Sequence, residues 1–154
     1  MALLLVLGTA HGDELRESRD GLYVTAGPIA AGARVEGEWT SGIGLELSIV
    51  SFREREVPAL WGVCGGWYSY TELPGGRIWL EGEVALRRPF PIGVGLGPAA
   101  EVDKVRPPRF GLQGTLWVGA GAMPYARLGV LQERGVFVEL GLMIKLPLPR
   151  VVAW

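Results

Sequence analysis

Glu81 and Glu83 stand two residues apart in the segment RIWLEGEVALR at 77–87. On an extended backbone they share one face, about 6.6 Å apart by strand rise. A pair of carboxylates at such a spacing can carry out glycoside hydrolysis, one as acid and one as nucleophile or base. The same face also carries Arg77, and segments of the same alternating kind offer Glu46, Arg127, Glu139 and Lys145, with Arg34, Glu36, Glu38 and Arg109 as further candidates. Charges withdrawn from water persist when paired. The expectation is therefore an ion-pair network built from Glu46, Arg77, Glu81, Glu83, Arg127, Glu139 and Lys145, with no catalytic pair among them. GVGLG at 93–97 has glycines spaced as in a phosphate-binding loop. They alternate along a strand pattern, and no helix follows to offer its N-terminus to a phosphate. Cys64 is the one cysteine and His11 the one histidine, which leaves no disulfide, no cysteine-based metal cluster and no activated thiol. No metal, no cofactor and no enzymatic activity are expected.

The elements that must hold these residues show in the composition first. The chain has 154 residues, 49% hydrophobic and 20% charged, with a net charge of -1. That is one domain, neither a disordered chain nor a basic one drawn to nucleic acid. Gly 24 and Trp 6 stand beside only two lysines, Lys104 and Lys145, and no asparagine, a poor supply for a solvated surface. Residues 2–7 read ALLLVL and lead into small residues at Ala10 and Gly12. The pattern is that of the end of a secretory signal over 1–12, cleaved before Asp13. Residues 13–20, DELRESRD, read as a charged leader, and 21–154 as a single barrel domain.

From Gly21 onward the chain alternates with period two, and helical periodicity is almost absent. Strands are expected at 33–39, 42–52, 58–70, 77–87, 92–98, 109–118, 125–130 and 136–146, most of them of about ten residues or fewer. Residues 22–29 form a ninth strand or an N-terminal arm. Turn signals separate the strands, among them Thr40-Ser41-Gly42, Leu73-Pro74-Gly75-Gly76 and Arg88-Pro89. One face of the clear strands is aliphatic and uncharged, with Leu45, Leu47, Leu80, Val84, Leu116, Leu128, Leu140 and Leu142 on it. The other face mixes glycine, aromatics and the charges named above.

Both a soluble and a membrane barrel bury one face, so the composition of the second face decides. A surface of Gly93, Gly95, Gly97, Gly129 and Gly141 with Trp79, Trp117, Phe137 and Met143 is a poor solvent coat. As the lining of a narrow lumen the same face works, because glycines make room for a few large and charged side chains. The uncharged aliphatic face then meets lipid, where a mid-bilayer Arg or Lys would cost about 2–4 kcal/mol. Trp39, Phe52, Phe110 and Tyr125 near strand ends suit interfacial girdles. The alternative is a soluble lipocalin-like barrel binding an apolar ligand, and a narrow channel is a third reading.

With eight such strands, the leader MALLLVLGTAHG and the terminal aromatic Trp154, the chain resembles the small bacterial outer-membrane β-barrels of the OmpA/OmpX type. The resemblance covers nearly the whole chain and implies an eight-stranded antiparallel up-and-down transmembrane β-barrel in the bacterial outer membrane. It implies a monomer with a structural or interaction role, surrounded by outer-membrane lipid. Pro147 and Pro149 depart from the family's usual last strand. Lys104, Arg106 and Arg109 form a small basic loop around Pro107-Pro108, either simply solvated or in contact with lipopolysaccharide phosphates.

Overall fold

The computed structural model describes residues 20–148 apart from 36, 54, 89, 104, 105 and 120. Residues 13–19 of the leader, the expected signal segment and Trp154 lie outside the described residues. Eight strands run in chain order: β1 (Gly21–Val35), β2 (Glu38–Phe52), β3 (Leu60–Tyr70), β4 (Gly76–Arg88), β5 (Phe90–Val102), β6 (Arg109–Val118), β7 (Ala122–Leu131) and β8 (Gly135–Ile144). Each pairs antiparallel with the next, and β1 closes the ring by pairing with both β2 and β8. A two-residue segment, β9 (Leu146–Pro147), continues the register of β8 against β1. Closure leaves no open sheet edge, so every strand finds its hydrogen bonds within the wall.

Several boundaries differ from the alternation reading. Residues 22–29 and 33–35 belong to one strand, β1, and the chain reverses between Val35 and Glu38. Gly37 has φ +88, a conformation that glycine adopts at no steric cost, so the tight reversal falls there. Thr40-Ser41-Gly42, expected as a turn, lies inside β2. The reversal also separates Val35 from Trp39: Val35 is buried inside the barrel, whereas Trp39 is 62% exposed on the outside. Strands reach 15 residues in β1 and β2 and 13 in β4 and β5, longer than expected.

Alternation then sorts the side chains. On β2, Ile43, Leu45, Leu47 and Ile49 point outward while Glu46, Ser48 and Val50 are buried. On β3, whose faces the sequence left open, Cys64, Tyr68 and Tyr70 point inward and Trp61, Val63 and Trp67 outward. Outward aromatics stand near both rims: Trp39, Trp67 and Phe110 toward one, Trp61 and Phe90 toward the other. Two residues expected in these girdles are elsewhere. Phe52 packs edge-to-face with Tyr23 at 6.4 Å, and Tyr125 is buried in the lumen, because both fall on inward positions of their strands.

The wall has one irregular seam. Between β1 and β8 the ladder runs from Val35–Phe137 to Ile29–Met143, skips Gly27 and Pro28, and resumes at Ala26–Leu146. Pro28 has no N–H to donate. The Lys145 N–H turns instead to the Gly121 carbonyl at 3.0 Å.

Candidate functional site: the charged lumen

Inward positions of the eight strands bring together charges far apart in sequence. Arg127 on β7 and Glu139 on β8 are register partners. Arg127 Nη1 donates to Glu139 Oε1 at 2.9 Å, and Arg77 Nη1 donates to Glu139 Oε2 at 2.9 Å. Arg127 Nη2 reaches Glu46 Oε2 at 3.3 Å, and its Nε donates to Thr115 Oγ1 at 2.9 Å. Glu81 accepts from Gln113 Nε2 at 2.6 Å and from Thr115 Oγ1 at 2.8 Å. Lys145 Nζ bridges Glu46 at 2.9 Å and Glu83 at 3.0 Å, and donates to Ser48 Oγ at 2.9 Å.

The chain of contacts continues to the rim that carries the β5–β6 loop. Arg77 Nη2 donates to the Tyr70 hydroxyl at 2.9 Å, and that hydroxyl donates to Glu101 at 3.2 Å. Glu101 pairs there with Arg109 at 3.4 Å and Arg134 at 2.8 Å. Five lumen carboxylates (Glu46, Glu81, Glu83, Glu101, Glu139) thus face five cations (Arg77, Arg109, Arg127, Arg134, Lys145). Charge balances among the described residues, which is what burial of so many ions requires.

Aromatic rings fill the space between the ions. The Arg77 guanidinium lies 3.5 Å from the Phe137 ring centroid, and that of Arg127 lies 4.1 Å from Trp79. Such stacking is favourable for desolvated arginine. Glycines provide the room: a side chain at Gly95 would meet the Glu81 carboxylate, and one at Gly129 the Phe137 ring. The GVGLG segment is therefore part of the lumen wall. Arg77, Arg127, Phe137 and Glu139 are at most 1% exposed, so solvent does not reach the middle of the barrel.

All seven residues expected in the network, Glu46, Arg77, Glu81, Glu83, Arg127, Glu139 and Lys145, lie in this lumen. Arg34 and Glu38 do not; both are exposed beside the β1–β2 reversal, where Arg34 Nε donates to the Gly37 carbonyl at 3.4 Å. Alternation along β1 puts Val35 inward and so Arg34 outward, while Glu38 is the first residue of β2, at the rim. Glu36 and Lys104 lie outside the described residues. Arg106 is exposed, but Arg109 turns toward Glu101, so the basic loop offers fewer free cations than its sequence suggests. The alternation over 92–98 stops at Pro98 and does not reach Glu101, which β5 carries three residues further on. Nor does it single out Tyr70 or the hydroxyl of Tyr125, which donates to Glu139 at 2.6 Å.

A second polar cluster sits outside the lumen, at the β3–β4 turn. Glu72 accepts from Thr40 Oγ1 at 2.6 Å, from Ser41 Oγ at 2.7 Å and from the Ser41 amide at 2.8 Å. These donors, Thr40 first, hold its pKa at about 2. The clamp ties the turn to β2 and satisfies the polar residues that resembled a turn in sequence.

No protein-family model and no curated sequence matches the chain. Among solved structures, the crystal structure of Neisserial surface protein A is similar, with a TM-score of 0.56 and 16% identity, covering 82% of this chain and 96% of that one. The chain is a closed eight-stranded antiparallel β-barrel sharing the fold of that surface protein, in keeping with a small barrel of the OmpA/OmpX type.

Proposed function

We propose that this chain is a bacterial outer-membrane β-barrel with a structural or interaction role and no enzymatic activity. One observation carries the reading: the polarity of the barrel is inverted relative to a protein in water. Thirty large hydrophobic side chains are exposed among the described residues, while Glu46, Arg77, Glu81, Glu83, Glu101, Arg127 and Glu139 are buried inside. The outward leucines and valine named from the sequence, Leu45, Leu47, Leu80, Val84, Leu116, Leu128, Leu140 and Leu142, are each 42–58% exposed. Water-soluble surfaces rarely carry apolar patches beyond a few hundred Å². Along the outward positions of β2, β3, β4 as far as Leu86, and β5 to β8, the described residues carry no charge. The outward run from Val136 to Leu146, at roughly 3.4 Å per residue and a tilt of about 40°, spans about 26 Å, close to the apolar band of outer-membrane barrels. Lipid of that membrane is the partner of this wall.

The mechanism is mechanical. Lipid-facing aliphatics hold the barrel in place, and the neutralised lumen makes it rigid. The connections between described strands run from one to seven residues at both rims. Among the described residues, any interaction surface is thus confined to short turns and the wall. The solvent-excluded middle of the lumen favours a closed barrel over a channel, and planar bilayers containing the protein should remain silent.

The test is heat modifiability with membrane fractionation. A mobility shift on SDS gels only after boiling, with the protein in the outer-membrane fraction, is the expected result. An unshifted band in the soluble fraction would overturn the proposal.

A further inference from the structure

A groove of about 850 Å³ runs over the outside of the barrel along β1. At Ala30 the neighbouring outward side chains are Ile43 on β2 and Leu142 on β8, both in register with it. β2 and β8 each lie about 4.8 Å from β1, so these aliphatic banks stand about 10 Å apart. Pro28 and Ala30 form the floor between them, and Gly32 extends it toward the rim. From Pro28 to Arg34 the floor covers six residues, about 20 Å by strand rise and about 15 Å in depth at a tilt of about 40°. That depth is about half the hydrocarbon core of a bilayer, the reach of one acyl chain.

Arg34 stands at the rim end of this floor, and its charge defines the occupant. It points outward between its register partners, Trp39 on β2 and Val138 on β8, and it is exposed. Outward positions of β2 and β8 carry no charge among the described residues. The Arg34 Nε donates to the Gly37 carbonyl at 3.4 Å, and no carboxylate among the described residues pairs with it. The Trp39 ring lies beside Gly32, where a Cβ would come within 3.8 Å of it. Indole rings favour the headgroup level of a membrane, and a cation there attracts anionic headgroups. A second copy of the chain docked on this groove, about an axis along the membrane normal, would set Arg34 against Arg34, so charge favours the lipid. We propose that the β1 groove is a seat for one anionic phospholipid, with an acyl chain along Pro28, Ala30 and Gly32 and the headgroup phosphate on Arg34. The seat rests on the reading that this wall faces lipid.

The experiment is native mass spectrometry of the full chain folded in detergent, with equimolar dioleoyl phosphatidylglycerol and dioleoyl phosphatidylcholine. One phosphatidylglycerol per chain should be retained about fivefold more than phosphatidylcholine, the worth of about one basic residue near an anionic surface. Arg34→Gln should bring the two lipids to within twofold of each other. Ala30→Trp, which fills the floor from the lipid side, should lower the retention of phosphatidylglycerol at least threefold, whereas Leu116→Trp on another part of the wall should not. A boiled and unboiled gel of each variant establishes that it is folded before it is sprayed. Equal retention of the two lipids by the unaltered chain, or a preference that survives Arg34→Gln, would overturn the proposal. Undiminished retention in folded Ala30→Trp, or a dimer without lipid, would overturn it too. None of these results touches the outer-membrane reading, which fails separately if the band is unshifted and soluble.

Discussion

Arg127 and Glu139 face each other directly across β7 and β8, both fully buried, with Nη1 and Oε1 2.9 Å apart. Glu139 also accepts from Arg77 and Tyr125, which makes it the point where the two halves of the lumen network join. Each partner is held by several others, so no single contact can be removed cleanly.

Glu139→Gln should therefore destabilise the barrel by about 3–5 kcal/mol, because it takes from buried Arg77 the carboxylate it pairs with and from Arg127 one of its carboxylate partners. Arg109→Gln, at the mouth, should cost less, about 1–2 kcal/mol, because its 3.4 Å pair is long and Glu101 keeps Arg134 at 2.8 Å. Urea titration of the folded protein in detergent measures both. Equal costs would mean that the middle of the lumen is hydrated and its ion pairs screened.

The outward wall makes the opposite prediction for an added charge. Leu128 is exposed on β7, between strands whose outward residues are also aliphatic. Leu128→Arg should lower the stability of the barrel folded in lipid vesicles by about 2–4 kcal/mol if this position lies near mid-bilayer. A neutral or solubilising effect would show instead that this wall faces water.

The Glu72 clamp should have its own acid titration. Its carboxyl is held at about 2, below the ordinary value of 4.5, by the hydroxyls and amide of Thr40 and Ser41. A depressed pKa in the folded state means that the clamp stabilises the turn fully above pH 4.5 and loses that contribution as the pH falls toward 2. The Ser41 amide chemical shift should follow a midpoint near 2, and Glu72→Gln should abolish the titration. A midpoint near 4.5 would mean that the clamp does not form in solution.

Two glycines should respond differently to alanine. A Cβ at Gly44 would meet the backbone carbonyl of Trp67 and come within 2.9 Å of the Tyr68 Cα, and backbone cannot swing aside. Gly44→Ala should cost about 1–3 kcal/mol. Gly82 points outward with nothing within 4 Å, and Gly82→Ala should be neutral or stabilising by up to about 1 kcal/mol. The urea midpoints of the two variants check both expectations, and equal midpoints would place the strand contact at Gly44 elsewhere.

The sequence by itself determined the period of two, the sorting of Leu45, Leu80, Leu128 and Leu140 from Glu46, Glu81, Arg127 and Glu139, and hence a barrel with a charged interior. These properties are local: a strand sends successive side chains to opposite faces whatever it pairs with. Which acid meets which base is a matter of register, and register depends on where the chain reverses. The turn at Gly37 instead of Thr40-Ser41-Gly42 merged two expected segments into β1 and left Arg34 and Glu38 at the rim. The extension of β5 past Pro98 brought Glu101 to Tyr70, Arg109 and Arg134. Pairings such as Arg77 with Glu139, 62 residues apart, and Arg127 with Glu46, 81 residues apart, exist only because the sheet closes on itself. Closure is a property of all eight strands together, and no segment of the chain contains it.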